Sequence, residues 1–307
     1  MRPASRKPTG TVLVTGASGF IGRRVCELLS RDGWLVTGLD RKLMPLAVDA
    51  APRVFHEFWT CDLRDASALA RRRPARPFDA IVHLAGILPG QESHETMLEV
   101  NVGGTAAVVD AFGGPDCHFV LFSSGLVYGP QPAPFREAMV CLPSDAYARS
   151  KLAAEAMARA RCEIHSAPLT IVRPSVLYGP GAPRGMLLIS LLTTLRQGQP
   201  FAMTAGEQTR DFLHVDDAAA AVAAILDGRI VGTWNLASGK SWTVSAAARL
   251  AADIAGRTDL LQIGALAYRP GEVFDYRLDA EPLKRATHWE PRVDLPTGLR
   301  QLWRELS

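Results

Sequence analysis

No stretch of this chain is long and apolar enough to cross a bilayer as a helix: an apolar run such as Met186 to Leu192 falls far short of the roughly 20 residues a span requires. Net charge is also scarce. A formal +3 over 307 residues gives no electrostatic footprint for nucleic acid or an anionic lipid surface. The local exception, Arg71-Arg72-Arg73 with Arg76, has no interleaved aromatic residues and reads as a solvated helix end. Cysteine is sparse and unpatterned: Cys26, Cys61, Cys117, Cys141 and Cys162 are odd in number, without C-x-x-C spacing or histidines at zinc-ligand offsets. That argues against a disulfide framework or a metal site and fits a reducing cytoplasm. The first nine residues carry Arg2, Arg6 and Lys7 with no apolar segment behind them, so a loose tail is expected rather than a signal peptide. Neither nucleic acid, membrane nor metal is expected as a partner.

What the sequence does contain is a glycine-rich run, Thr15-Gly16-Ala17-Ser18-Gly19-Phe20-Ile21-Gly22, set between the apolar strand Thr11 to Val14 and an apolar helix. Gly16 permits the tight strand-to-helix turn, Gly19 lets backbone approach a pyrophosphate, and Gly22 lets the helix lie close on the sheet. Free N–H groups and the positive dipole end of the helix favour that anion. Asp40 closes the next apolar strand, Trp34 to Leu39, at the reach expected for a ribose 2′-hydroxyl. Gly16, Ser18, Gly19, Phe20, Ile21, Gly22 and Asp40 are therefore expected to hold a dinucleotide.

Short β-branched and aromatic runs near Val12, Leu35, Phe55, Ile81, Phe119 and Ile171 alternate with helical patterns at Ile21 to Arg31, Thr96 to Phe112 and Asp145 to Cys162. This alternation predicts an α/β fold, a doubly wound (Rossmann) parallel sheet. After Arg173-Pro174 the alternation lapses, with helices at Gly185 to Gln197 and Asp216 to Leu226 and a strand at Thr233 to Leu236. A smaller, mostly helical substrate lobe is expected from residues 174–212 and 241–307, with residues 1–173 and 213–240 forming the dinucleotide domain. Asp216 and Asp217 read as residues that cap and charge a helix start.

Tyr147-Ala148-Arg149-Ser150-Lys151 puts a phenol and an ammonium on one helix face, one turn apart. Such a pair is often no more than a surface tyrosine beside a solvated lysine. Here it follows the strand that ends Phe119-Val120-Leu121-Phe122-Ser123-Ser124, at the carboxyl edge of a parallel sheet, where such folds bind ligands. A fixed ammonium nearby favours the phenolate of a tyrosine that is otherwise a weak base at neutral pH. Of the two serines, Ser123 suits capping of the next segment and Ser124 suits hydrogen bonding to a reacting oxygen. The catalytic set is Ser124, Tyr147 and Lys151.

The glycine run, Asp40, Asp62-Leu63, His83-Leu84-Ala85-Gly86, Asn101, Ser124 with Val127-Tyr128-Gly129, Tyr147 with Lys151, Arg173-Pro174, Tyr178-Gly179-Pro180-Gly181, Arg210-Asp211-Phe212 with Val215-Asp216-Asp217, and Arg269-Pro270-Gly271-Glu272 together resemble the extended short-chain dehydrogenases/reductases. Within them, the chain is similar to the nucleotide-sugar epimerase/dehydratase/reductase group. The resemblance implies that Asp62 and Leu63 border an adenine, that Leu84, Ala85 and Gly86 line the cofactor, and that Asn101 holds a helix kink and water relay behind Lys151. It implies that Tyr147 exchanges the proton of a sugar hydroxyl, that Lys151 lowers its pKa and binds the nicotinamide ribose, and that Ser124 binds the same sugar oxygen. Arg210 and Arg269 would grip a nucleotide diphosphate, a task suited to forked guanidinium groups. Dimerisation through the helices near Asn101 and Lys151 is implied as well.

Three departures from the group's pattern bear on the expectation, the first of them against a nucleotide-linked substrate and the second against dehydration. Val176 stands where the group usually has an asparagine; Gly125-Leu126 replace the Asp-Glu pair of 4,6-dehydratases; and the Cys/His pair of 3,5-epimerase/reductases is missing, Cys141 and His165 reading as packing and surface residues. The expected cofactor is NAD, because Asp40 accepts the ribose hydroxyls and repels a 2′-phosphate, with NADP the alternative because Arg41 follows. The expected activity is oxidoreductive chemistry at C4 of a nucleotide-linked sugar, with 4-epimerisation ahead of one-way reduction of a 4-keto sugar. A reductase of a carbonyl compound without a nucleotide, and a cofactor-sensing protein on the same fold, are the alternatives.

Overall fold

The computed structural model describes residues 9–42, 54–72, 74, 76–269 and 271–306, so most of the expected N-terminal tail, together with Arg73 and Pro270, lies outside the described residues. The chain runs β1 (Thr11–Thr15), α1 (Phe20–Arg31), β2 (Leu35–Asp40), β3 (Glu57–Thr60), α2 (Ala66–Arg71), β4 (Ala80–His83), α3 (His94–Leu98), α4 (Gly104–Phe112), β5 (His118–Phe122), α5 (Ala146–Ile164) and β6 (Leu169–Pro174). With β10 (Gly232–Leu236) these strands form a seven-stranded parallel sheet in the order β10-β6-β5-β4-β1-β2-β3. Its direction of winding reverses between β1 and β4, which opens a crevice at their carboxyl ends.

Both faces of the sheet are covered, which is why its strands are apolar at successive positions rather than at alternate ones. Val12, Val14, Val82, Val120 and Val172 pack on one side with Val25 and Leu29 of α1. Leu13, Ile81, Phe119, Leu121 and Ile171 pack on the other with Val108 and Phe112 of α4 and Ala158 of α5. Two expected elements are shifted or divided. The strand placed near Phe55 runs from Glu57 to Thr60, while Phe55 itself packs into the first core. The helix expected from Thr96 to Phe112 is interrupted by a π-helical turn at Glu99–Gly103.

The second lobe comprises β7 (Val176–Tyr178), α6 (Leu187–Arg196), β8 (Phe201–Met203), β9 (Thr209–His214), β11 (Ser241–Thr243), α8 (Val244–Ala255), β12 (Leu261–Ile263), β13 (Asp275–Tyr276) and α10 (Leu295–Glu305). β11, β13 and β7 all pair with β9, and β8 pairs with β12. Its core interleaves Leu188, Leu191 and Leu195 of α6 with Ala247 and Ala251 of α8 and Leu299 of α10. α7 (Val215–Gly228) returns the chain to the first core, where Ala218, Ala221, Val222 and Ile225 meet α1. The expected boundary needs one correction: α9 (Glu281–Thr287) does not belong to the second lobe's core, because Leu283 and Trp289 are buried in the first.

The two aspartates opening α7 also differ from expectation. The cap is His214, whose Nδ1 accepts from the N–H of Asp216 at 3.3 Å. Asp216 is exposed and meets Arg24 at 3.4 Å, whereas Asp217 is buried and accepts the N–H groups of Arg292 and Val293, both at 2.9 Å. Asp217 thus fastens the C-terminal segment to α7. Replacement by alanine is expected to cost about 2 kcal/mol, the worth of two charge-assisted hydrogen bonds, and Asp216→Ala less than about 0.5 kcal/mol. Denaturant unfolding of both variants is the check, and equal midpoints would refute the distinction.

Candidate active site

The glycine turn has the backbone shape an anion cradle requires. Gly16 sits at φ +68°, and a Cβ there would lie 2.8 Å from the nitrogen of Ala85. A Cβ on Gly22 would collide with the Gly16 carbonyl and lie 2.9 Å from Cα of Ala17. Gly19 caps α1 without any side chain to satisfy the first-turn N–H groups, which leaves them for an anion. Beside the turn, Asp40 accepts the N–H of Ser18 at 3.1 Å and that of Lys42 at 3.3 Å, so the Ser18 backbone aims the carboxylate. Arg41 is exposed and paired with Glu92 at 3.4 Å.

Farther along the same edge, the Arg64 guanidinium forks onto Asp62 at 3.1 and 2.8 Å and holds that carboxyl below its ordinary range. Leu63 packs over Gly104, where a Cβ would come within 2.9 Å of it. Leu84 and Ala85 leave β4 with their N–H groups on the backbone carbonyl and side-chain oxygen of Thr15, each at 3.2 Å. Gly86 faces inward; a Cβ there would lie 3.0 Å from Oδ1 of Asn101 and 3.8 Å from Nζ of Lys151. Asn101 occupies the π-helical turn, and its amide accepts the N–H of Ile87 at 2.7 Å and donates to Oγ of Ser150 at 2.9 Å. It stands behind the cleft and ties the β4 loop to α5.

Asp145 caps α5 by accepting the N–H of Ala148 at 2.7 Å, and the helix then carries Tyr147 and Lys151 to the sheet edge. Lys151 is buried and its ammonium has no hydrogen-bond partner among the described residues; burial draws its pKa from 10.5 down to about 8, with Glu155 opposing. Burial raises the Tyr147 phenol to about 12, with the Ser124 hydroxyl opposing, so the ligand-free protein keeps it protonated. The serines exchange one expected task. Ser124, not Ser123, caps the next segment, a 3₁₀ turn at Gly125–Tyr128, by accepting the N–H of Leu126 at 3.2 Å. Ser123 is buried and donates to Glu155. Successive side chains leaving a strand point to opposite sides, so Ser123 turns to Glu155 of α5 and Ser124 to the 3₁₀ turn, and both border the cleft.

Sequence reasoning overlooked the buried cluster to which Ser123 belongs. Arg173 forks onto Glu155 at 2.9 and 2.6 Å and stacks over Tyr128 at 4.9 Å. Its signal was available, since Glu155 lies one helical turn beyond Lys151 on the same buried face. The second lobe contributes the opposite wall. Arg210 donates to the carbonyls of Thr209 and Val273, both at 2.8 Å, and is paired with Glu272. Arg269 is exposed, and its guanidinium has no partner among the described residues. Tyr276, also overlooked, comes from a strand too short to carry any periodic signal.

A single cleft of about 990 Å³ is lined by Gly16, Gly19, Phe20, Ile21, Gly22, Asp40, Arg41, Asp62, Leu63, Leu84, Ala85, Gly86, Ser124, Tyr147, Lys151, Arg210 and Arg269, together with Val176, Leu126 and Tyr276. Ser18 and Asn101 act from outside that lining. The strand order puts Asp40 and Asp62 at one side of the crevice and Ser124 at the other, toward the second lobe. Its glycines remove side chains where backbone must meet a ligand, which fits a dinucleotide.

The sequence model described as the NAD dependent epimerase/dehydratase family matches residues 12–237. Among curated relatives, the UDP-glucuronate 4-epimerase of Thermodesulfobacterium geofontis is 26% identical, the alignment covering 95% of this chain and 94% of that one. The dTDP-glucose 4,6-dehydratase 1 of Escherichia coli is also 26% identical, over 94% of this chain and 91% of its own length. Among solved structures, the UDP-glucose 4-epimerase of Thermus thermophilus in complex with NAD superposes with a TM-score of 0.83 at 27% identity, covering 96% of this chain and 98% of that one.

The buried Lys151 makes ligand-free stability depend on pH with a defined sign. The folded protein releases the Lys151 proton near pH 8, the unfolded chain near 10.5, so between these values the unfolded state binds more protons. Stability contributed at this residue therefore rises across that window, and the cost of the buried ammonium is fully present below about 8. Lys151→Met is expected to remove this rise and to match or exceed wild-type stability at neutral pH. Denaturation at several pH values tests it; an unchanged slope in the variant would refute the assignment.

Proposed function

Given that the chain belongs to the NAD-dependent epimerase/dehydratase family, we propose that it binds NAD and inverts C4 of a nucleotide-diphosphate sugar. The observation that carries this reading is the convergence of the Ser124 hydroxyl, the Tyr147 phenol and the Lys151 ammonium in one cleft with the glycine turn and two arginines. The N-terminus of α1 holds the cofactor pyrophosphate, Asp40 accepts the adenosine ribose hydroxyls, and Lys151 supplies three donors and a positive charge beside the nicotinamide ribose. NAD, when bound, supplies the acceptor and later the donor of a hydride at the sugar carbon.

The protein's own share is acid/base and positional. Tyr147 removes the proton from the 4-hydroxyl as the carbon is oxidised and returns it when the carbon is reduced; Lys151 stabilises the phenolate in between. Ser124 donates to the same oxygen. Arg210 and Arg269 hold the diphosphate, which leaves the sugar free to present its other face before the proton returns. Elimination of water would need a further acid/base group, and the turn after Ser124 offers none: Gly125 and Leu126 lack one. A Cβ on Gly125 would meet Cδ2 of Leu278 at 2.9 Å and the Pro174 carbonyl at 3.0 Å. This favours inversion over dehydration. We also propose a homodimer through α4 and α5; Ala153, Ala156 and Ala160 of α5 are exposed there.

Incubation with NAD and UDP-glucuronate, UDP-glucose or dTDP-glucose, followed by NMR at the sugar C4, tests the reading. Epimer should form without net change in cofactor redox state. Tyr147→Phe should still bind NAD but lose about 10²–10⁴ in kcat, the usual share of general acid/base catalysis. Arg269→Ala should raise KM for the nucleotide sugar. Stoichiometric release of oxidised cofactor would instead establish a ketoreductase, and equal turnover of simple ketones by wild type and Arg269→Ala would remove the nucleotide from the proposal.

A further inference from the structure

Tyr276 is the one phenol of the second lobe in the cleft wall, and its placement is unusual for a residue on a surface strand. It is 4% exposed, its ring is wedged edge-on against Phe135 at 5.8 Å, and the Arg210 guanidinium lies above it at 5.8 Å. β13 pairs with β9 in a register that puts Tyr276 opposite Arg210. Its hydroxyl fills the space that a Cβ on Gly125 would need, which brings it beside Ser124 at the start of the 3₁₀ turn. Gly125 is therefore glycine for a reason in this chain: any side chain there would displace that hydroxyl. Burial, with the nearby Tyr147 phenol adding to it, keeps the Tyr276 phenol protonated throughout the working pH range, while the Arg210 charge and a hydrogen bond with the Ser124 hydroxyl oppose that rise.

We propose that Tyr276 is a positioning residue whose hydroxyl donates a hydrogen bond to Oγ of Ser124 and thereby turns Ser124 into a donor toward the reacting oxygen. A serine hydroxyl has one hydrogen and two lone pairs. One lone pair of Ser124 is already used by the N–H of Leu126, at 3.2 Å. With the second taken by Tyr276, the serine can no longer accept from substrate, and its hydrogen is left for the oxygen that Tyr147 deprotonates. Donation into Ser124 also polarises its O–H bond and strengthens its outward donation. The same strand pair carries Arg210, so the edge that grips the diphosphate in the proposed function is rigidly joined to the group that orients the catalytic serine.

This inference rests on the proposed roles of Ser124 and Tyr147, and the test separates the two. Tyr276→Phe deletes only the hydroxyl and leaves the ring under Arg210. It is expected to lower kcat about tenfold on the best nucleotide sugar among UDP-glucuronate, UDP-glucose and dTDP-glucose, with KM and the thermal midpoint unchanged. Ultraviolet difference absorbance in the presence of NAD, with Tyr147→Phe identifying the Tyr147 step, should show that phenolate forming at higher pH in Tyr276→Phe. A wild-type kcat and a wild-type phenolate step would overturn the inference, as would a loss confined to KM. If Tyr147→Phe itself retains full turnover, the proposed function fails; if only Tyr276→Phe is silent, the positioning role alone fails.

Discussion

The geometry of the site depends on one buried ion pair. Glu155 is 2% exposed and Arg173 5%, and two such charges are tolerable in a sheet-helix interface only because the guanidinium forks onto the carboxylate and Ser123 adds a third hydrogen bond. The cluster joins α5 to the ends of β5 and β6. Since Tyr147 and Lys151 ride on α5 and Ser124 follows Ser123 directly, the cluster fixes the distance between the helix that carries the phenol and ammonium and the strand end that carries the serine. Neither element would be held there by apolar packing alone with the same precision, because hydrophobic contact is not directional.

Around that anchor the site is electrostatically spare. His83, between Thr15 at 2.8 Å and Thr105 at 3.1 Å, is wholly buried, and burial lowers it to about 3, so it serves as a neutral strut beneath the crevice. His118 is likewise lowered, to about 4, and bonds Thr170 at 2.8 Å. The floor of the crevice thus carries Lys151 as its buried positive charge, while Asp40 supplies a carboxylate at one rim and the arginines of the second lobe face the other. A ligand with an uncharged reacting centre and negative charges at defined distances matches that distribution.

Much of this was legible from sequence because it depends on short range. The glycine turn, Asp40 at the end of β2 and the Tyr147–Lys151 pair each lie within one element or across one turn, and their physical reasons are local: a positive φ, a strand terminus, a helical repeat. What stayed hidden depends on pairing between distant segments. The π-helical turn at Glu99–Gly103 has no compositional signature, and the exchange of capping between Ser123 and Ser124 was set by which of them met Glu155, 32 residues farther on. Glu272 reaches Arg210 across 62 residues, and α9 leaves its sequence neighbours to pack against α7 and β10. Arg210 and Arg269, proposed for the diphosphate, were singled out through family resemblance, and nothing in their local pattern would have shown that Arg210 is already engaged.

That engagement has a thermodynamic meaning. Arg210 is satisfied by Glu272 and by two backbone carbonyls, while the exposed Arg269 guanidinium has no partner among the described residues. On the proposed reading, an incoming diphosphate meets Arg269 as an open charge but must compete with an internal carboxylate for Arg210. Capture at that second arginine is an anion-exchange equilibrium rather than simple addition, and the carboxylate acts as a built-in competitor that sets a threshold. A singly charged ligand gains little by replacing one carboxylate with another, whereas a diphosphate offers more charge and more acceptor oxygens to the same fork. If Arg210 takes the diphosphate as proposed, its pairing with Glu272 discriminates by valence, favouring a multiply charged ligand over simple monoanions.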